Sequence, residues 1–204
     1  VKKTRCIFWR WFYNSGCITY IKNIFRDNLK NPSSNDGTGQ KTWPVSNKSF
    51  LIMMKLIHIT DTHFVPRGKT LFGGDPLKNL ERCVADINLH HADAEVCVLT
   101  GDLTHWGEPE AYEALRECLD PMITPLRVII GNHDVRNEMF RWFPEQPLDE
   151  NGFYQSAEDF SAGRFLFLDT HEPGKSEGFY CEKRLDWLER QLTDSGKNSL
   201  FLFM

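Results

Sequence analysis

The sequence predicts an α/β sandwich with mixed sheets that are parallel at their centre. Two observations carry that expectation. Short apolar runs alternate with segments of helical period, the pattern of strands joined by crossover helices. Three successive apolar runs also stop at small polar clusters, and an open α/β sheet presents its ligand site beyond the carboxyl ends of its strands.

Residues 1–52 show neither period. They hold nine Lys/Arg against two Asp/Glu, a charge of +7. They end in "NPSSNDGTGQKTWPVSNKS", a run of turn formers and polar residues that predicts loop or disorder. Met53 and Met54 stand directly before the first clear strand. We therefore expect the natural protein to begin at one of these methionines. Residues 1–52 are then a disordered or non-native extension, and 53–204 form the folded domain.

From there the elements follow in order. "KLIHIT" is a short buried strand, and "PLKNLERCVADINLHH" places Leu77, Leu80, Val84 and Ile87 at helical spacing. "AEVCVLT" is a second strand. "EPEAYEALRECL" is a second helix, with Pro109 suited to its first turn. "LRVII" is a third strand. After a loop, "FYQSA" and "RFLFLDT" read as a strand pair, with Gly163 between them. "RLDWLERQL" predicts a helix with Leu185, Leu188 and Leu192 on one face, and "SLFLFM" begins another strand.

Charge and cysteine usage narrow the function classes. Residues 53–204 hold fifteen Lys/Arg against twenty-six Asp/Glu, a charge of -11. A body that acidic argues against a nucleic-acid partner, which requires a basic face. It suits a site that gathers carboxylates around cations. The six cysteines form no C-x-x-C pair, which fits a reducing cytoplasmic setting better than a disulfide framework. No apolar run reaches the roughly 18 residues of a membrane span, so no membrane partner is expected.

The chemistry sits at the three strand ends. The first supplies Asp61 and His63, the second "TGDLTH" with Asp102, and the third "GNHD" with Asn132, His133 and Asp134. These clusters are separated by about 70 residues, yet the topology brings them to one rim. Carboxylate, imidazole and amide oxygen are ligands for divalent Zn, Mn or Fe. Gly101 and Gly131 allow the backbone to turn sharply and approach closely. Alone, D-x-H is a common turn; three clusters on three consecutive strands point to a binuclear metal site. His58 reads as a core histidine or a support for a ligand. His90 and His91, at a helix end, receive no function, and His171 is left open.

D-x-H, G-D and G-N-H-D on successive strands resemble the calcineurin-like metallophosphoesterases. "HITDTHFVPRGKTLFG" and "GDLTHWGEPEAYEAL" are similar to the small bacterial cyclic-AMP phosphodiesterases and glycerophosphodiesterases. The resemblance covers residues 54–204 and implies a metallophosphoesterase-type sandwich. It further implies two divalent ions (Fe, Mn or Zn), with Asp61 and His63 on the first, Asp102 bridging and Asn132 on the second. His133 would contact the phosphate and protonate the leaving oxygen, with Asp134 beside it. His105 falls where members vary. Family members go on to further histidines, as H-H-P-P and G-H-x-H, so the resemblance implies that the C-terminal part is missing and this chain weak or inactive.

The function expected of the intact protein is hydrolysis of a small phosphodiester, either a cyclic nucleotide such as 3',5'-cAMP or a glycerophosphodiester. Homo-oligomerisation stays open. The alternatives are a catalytically impaired fragment that binds metal weakly and a phosphomonoesterase of the same superfamily.

Overall fold

The computed structural model describes the backbone of Thr4–Phe12, Ile18–Asp27 and residues 51–204, with side chains from Met54 onward. The expected loop at 31–49 lies outside the described residues. Strand β1 (Thr4–Phe12) pairs antiparallel with β2 (Ile18–Asp27), and β2 pairs antiparallel with β3 (Leu51–Thr60). Aperiodic sequence did not point to β1 and β2. The rest of this sheet is parallel: β3 pairs with β4 (Val96–Thr100), which pairs with β5 (Leu126–Ile129).

Helices make the parallel steps. Helix α1 (Pro76–His90) joins β3 to β4 and α2 (Pro109–Leu119) joins β4 to β5. Asp75 caps α1, its carboxylate accepting from Lys78 N at 3.2 Å, and Pro76 fills the first turn, where no backbone donor is needed. Leu80, Cys83, Val84 and Ile87 form its buried stripe. Ile57 and Ile59 of β3 face these helices, while Met54 and Leu56, on the alternate positions, face the opposite way.

That opposite face meets a second sheet. Strand β6 (Ser156–Phe160) pairs antiparallel with β7 (Gly163–Phe167), which pairs parallel with β8 (Leu200–Phe203). Met54, Leu56, Val96, Val98 and Ile129 from the first sheet pack on Phe165 and Phe167 from the second. Helix α4 (Glu182–Asp194) covers the far side, where Trp187 packs with Leu166 and Leu168. The result is a helix–sheet–sheet–helix sandwich with mixed sheets parallel at the centre, as the sequence predicts.

Three local expectations need correction. The strand pair before the last helix is β6–β7, so Phe153 and Tyr154 precede it and Gly163 begins its second strand. A short helix, α3 (Arg136–Trp142), was not anticipated because only Met139 on it is buried. On α4 only Leu188 of the predicted leucine face packs on the core: Leu185 and Leu192 are 45% and 41% exposed, and Arg184 and Trp187 are the buried residues. Arg184 is tolerated there because Nη1 donates to the carbonyls of Asp169 and His171 at 2.8 and 3.0 Å.

Candidate metal centre

The rim is built by three strands ending side by side. After β3 and β4 the chains continue in loose register: His63 N donates to Asp102 O, Phe64 N to Leu103 O, and His105 N back to Phe64 O, each at 2.9 Å. The Thr62 hydroxyl donates to Leu103 O at 2.9 Å. Asp134, from the loop after β5, ties the third strand end in. It is 4% exposed, and its carboxylate accepts from Gly131 N (2.8 Å), Leu103 N (3.2 Å), Thr104 N (3.1 Å) and Tyr112 OH (3.1 Å). Burial pushes its carboxyl up to about 6, outweighing the N–H donors that favour the anion.

Two glycines are sterically required. A Cβ on Gly101 (φ +58°) would lie 2.9 Å from Gly131 Cα. One on Gly131 would lie 2.1 Å from Asp102 N and 2.4 Å from Asp102 Oδ1. No side chain fits between the second and third strand ends, so the carboxylate of Asp102 and the loop of Asn132 come together.

At the rim, ligand atoms of Asp61, His63 and Asp102 lie within 4.8 Å of one another. His63 Nε2 stands 3.7 Å from Asp61 Oδ1 and 3.8 Å from Asp102 Oδ2. These gaps are too long for hydrogen bonds. They suit atoms that share one cation, each about 2.0–2.2 Å from it. Backbone strain marks the same residues. Among the described residues, Asp61 (φ 55°), His63 (φ 43°), Asp102 (φ 49°) and Phe72 are the non-glycine positions with positive φ. Each such residue costs of order 1–3 kcal/mol, and such costs concentrate where function demands a particular direction of a side chain. The donor set, its convergence and its strain all fit a divalent cation.

Asp61, Asp102 and Asn132 line a cavity of about 180 Å³, which His171, Lys175 and Ser176 also line. His171 is 7% exposed, its backbone N donating to Asp169 Oδ1. His58, by contrast, pairs through Nε2 with the Thr100 hydroxyl at 2.8 Å within the sheet. His91 caps α1 by its backbone N–H, donating to Ile87 O.

His133 sits beside this group. Its backbone N donates to Asp102 Oδ1 at 3.1 Å, and its ring Nδ1 lies 2.7 Å from the His105 carbonyl. A carbonyl only accepts, so Nδ1 carries the hydrogen and Nε2 is left for other chemistry. His105, which the sequence left without a role, contacts both other histidines: ligand atoms of His63, His105 and His133 also fall within 4.8 Å. Burial lowers the pKa of His63 and of His105, favouring the neutral rings that ligation needs.

A sandwich carrying these motifs at its strand ends defines a class, and residues 54–202 match the calcineurin-like phosphoesterase family: the chain belongs to it. Its relatives are more particular. It is 42% identical over 144 residues to a protein of Rhodopseudomonas palustris named as a probable cyclic nucleotide phosphodiesterase, covering 70% of this chain and 53% of that one. It is 31% identical over 156 residues to the glycerophosphodiester phosphodiesterase GpdQ of Enterobacter lignolyticus, covering 74% and 56%. It is 27% identical over 148 residues to the 3',5'-cyclic adenosine monophosphate phosphodiesterase CpdA of Pseudomonas aeruginosa, covering 72% and 53%. The chain spans about half the length of these relatives. Among the described residues, no helix is long and apolar enough to cross a membrane.

Proposed function

We propose that the protein hydrolyses a small phosphodiester, a cyclic nucleotide or a glycerophosphodiester, at the rim formed by Asp61, His63, Asp102, Asn132 and His133. The observation that carries this reading is the convergence of Asp61, His63 and Asp102, each in a strained backbone conformation, on one point. Asp61 and His63 would hold a first divalent ion and Asn132 a second, with Asp102 shared between the two. Iron, manganese and zinc all suit the set. Such ions supply positive charge for the phosphate oxygens and acidify the attacking water.

The remaining roles belong to side chains of this chain. Asp102 holds the two halves of the site in register, since Oδ1 already fixes the backbone of His133. His133 in its imidazolium form, with Nδ1–H donated to the His105 carbonyl, gives its Nε2 proton to the departing alkoxide and is left as the neutral Nδ1–H tautomer. General acid catalysis of this kind contributes typically 10²–10⁴-fold. Asp134 is buried under four donors and supports His133 by fixing the loop that bears it. The relatives named above act, by their names, on both substrate classes, so both are carried here.

The test is a Mn²⁺-supplemented assay on bis(p-nitrophenyl) phosphate, p-nitrophenyl phosphate, 3',5'-cAMP and a glycerophosphodiester. Diester cleavage that exceeds monoester cleavage, and disappears in Asp102→Ala, supports the proposal. Preference for the monoester would overturn it in favour of a phosphomonoesterase.

A further inference from the structure

His105 touches both histidines of the site, yet its side chain has no role in the reaction above. Its ring Nδ1 lies 3.3 Å from His63 Nδ1. Its carbonyl oxygen lies 2.7 Å from His133 Nδ1. The ring is held in place from three sides. It stacks on His133 with centroids 5.0 Å apart and an interplanar angle of 20°, while Trp106 and Phe72 meet it edge-on at 4.4 and 5.7 Å. The main chain is also fixed, because His105 N donates to Phe64 O at 2.9 Å.

Imidazole chemistry turns these contacts into constraints. Two Nδ1 atoms facing each other can share one hydrogen, so one must donate and the other accept. The Nε2 of His63 faces Asp61 and Asp102, at 3.7 and 3.8 Å. For that nitrogen to offer its lone pair to a cation, the hydrogen of His63 must sit on Nδ1. His105 Nδ1 is then the acceptor, with its own hydrogen on Nε2. On its other side, the His105 carbonyl can only accept, which places the hydrogen of His133 on Nδ1 as well.

We propose that His105 is a positioning residue that sets the tautomers of both neighbours, that of His63 through its side chain and that of His133 through its backbone carbonyl. The inference rests on the reading of Asp61, His63 and Asp102 as a cation site. A partner that orients a ligating histidine and raises its basicity commonly contributes 10–100-fold in metal affinity. The two routes are separable: truncating the His105 side chain frees His63 and leaves the constraint on His133 intact.

The experiment uses the full chain and two variants, His105→Ala and His105→Asn. The Oδ1 of asparagine falls where imidazole Nδ1 does and can accept, so it serves as the conservative replacement. Each protein is titrated with Mn²⁺ by calorimetry without substrate, and melted without metal as a check on folding. Imidazole ¹⁵N spectra of the metal-free proteins report the tautomers. His105→Ala should lower Mn²⁺ affinity about 10–100-fold with the number of bound ions unchanged. His105→Asn should recover most of that loss. In His105→Ala the His63 resonances should move to a tautomer mixture while those of His133 stay Nδ1-protonated.

Unchanged affinity in His105→Ala would overturn the proposal. So would fewer bound ions, which would make His105 a ligand of a three-histidine site. If the unaltered chain binds no Mn²⁺, the cation-site reading fails, and the ¹⁵N spectra still decide the tautomer claim. If His105→Ala unfolds, His105→Asn decides, since its retained affinity supports an acceptor role and its loss refutes one.

Discussion

Adding a single methyl group at Gly131 tests how closely the second and third strand ends must approach. In Gly131→Ala the new Cβ would lie 2.1 Å from Asp102 N, 2.4 Å from Asp102 Oδ1 and 2.8 Å from Gly101 C. Ordinary contact begins near 3.4 Å, so the nearest atom must give way by roughly 1.3 Å. That atom is backbone and cannot swing aside. Overpacking of this kind costs about 1–3 kcal/mol. For a domain of about 150 residues, 1 kcal/mol corresponds to roughly 2–4 °C, so the midpoint should fall by roughly 2–12 °C. The effect on the site should be larger in proportion. Binding constellations tolerate displacements of only about 0.5 Å, and a misplacement near 1 Å can cost 10²-fold. Mn²⁺ affinity should therefore drop by roughly 10²-fold while the protein stays folded. Gly152→Ala is the control, because Gly152 also has positive φ (+82°) but nothing lies within 4 Å of its Cβ. It should lose a little stability and no Mn²⁺ affinity. If Gly131→Ala bound Mn²⁺ as tightly as the unaltered chain, the argument that close strand approach places Asp102 would be wrong.

Three other outcomes follow from the same structure. His133→Ala should retain bound cations and lose diester turnover by roughly 10²-fold or more, whereas an equal loss of metal would make His133 a ligand. Arg184→Leu should cost about 1–3 kcal/mol in a chemical melt, since it leaves the carbonyls of Asp169 and His171 without their donor while Asp169 keeps its pairing with Arg136. A shift under about 1 kcal/mol would show that the arginine's burial costs as much as its contacts return. Removing residues 1–52 should leave the thermal midpoint nearly unchanged, because the family match begins at residue 54. A large fall would show that the pairing of β2 with β3 is integral to the domain.

The parts of this account that were legible in the sequence share one cause. Asp61, His63, Asp102, Asn132 and His133 stand where an apolar run stops, and a strand end in a parallel sheet has one spatial meaning. Residue type and position together were therefore enough to collect them at one rim. Asp134 was harder to read, because a carboxylate in a motif looks the same whether it faces substrate or four backbone and hydroxyl donors. Its burial and those donors reveal a support for the loop. His105 carried no signal beyond its residue type, since the contact to His63 spans 42 positions in sequence. On α4, hydropathy favoured the leucines over Arg184, but the unpaired carbonyls of Asp169 and His171 needed a donor more than the core needed another apolar side chain. Helix α3 escaped notice because seven residues with one buried member leave no period to detect.

The central claim is that Asp61, His63 and Asp102 hold a divalent cation. It is tested most directly by counting ions: titrate the chain and Asp102→Ala with Mn²⁺, following free Mn²⁺ by electron paramagnetic resonance. The account predicts saturable binding by the unaltered chain and none by Asp102→Ala, whose loss removes the carboxylate common to both ions. Equal binding by the two proteins would contradict it.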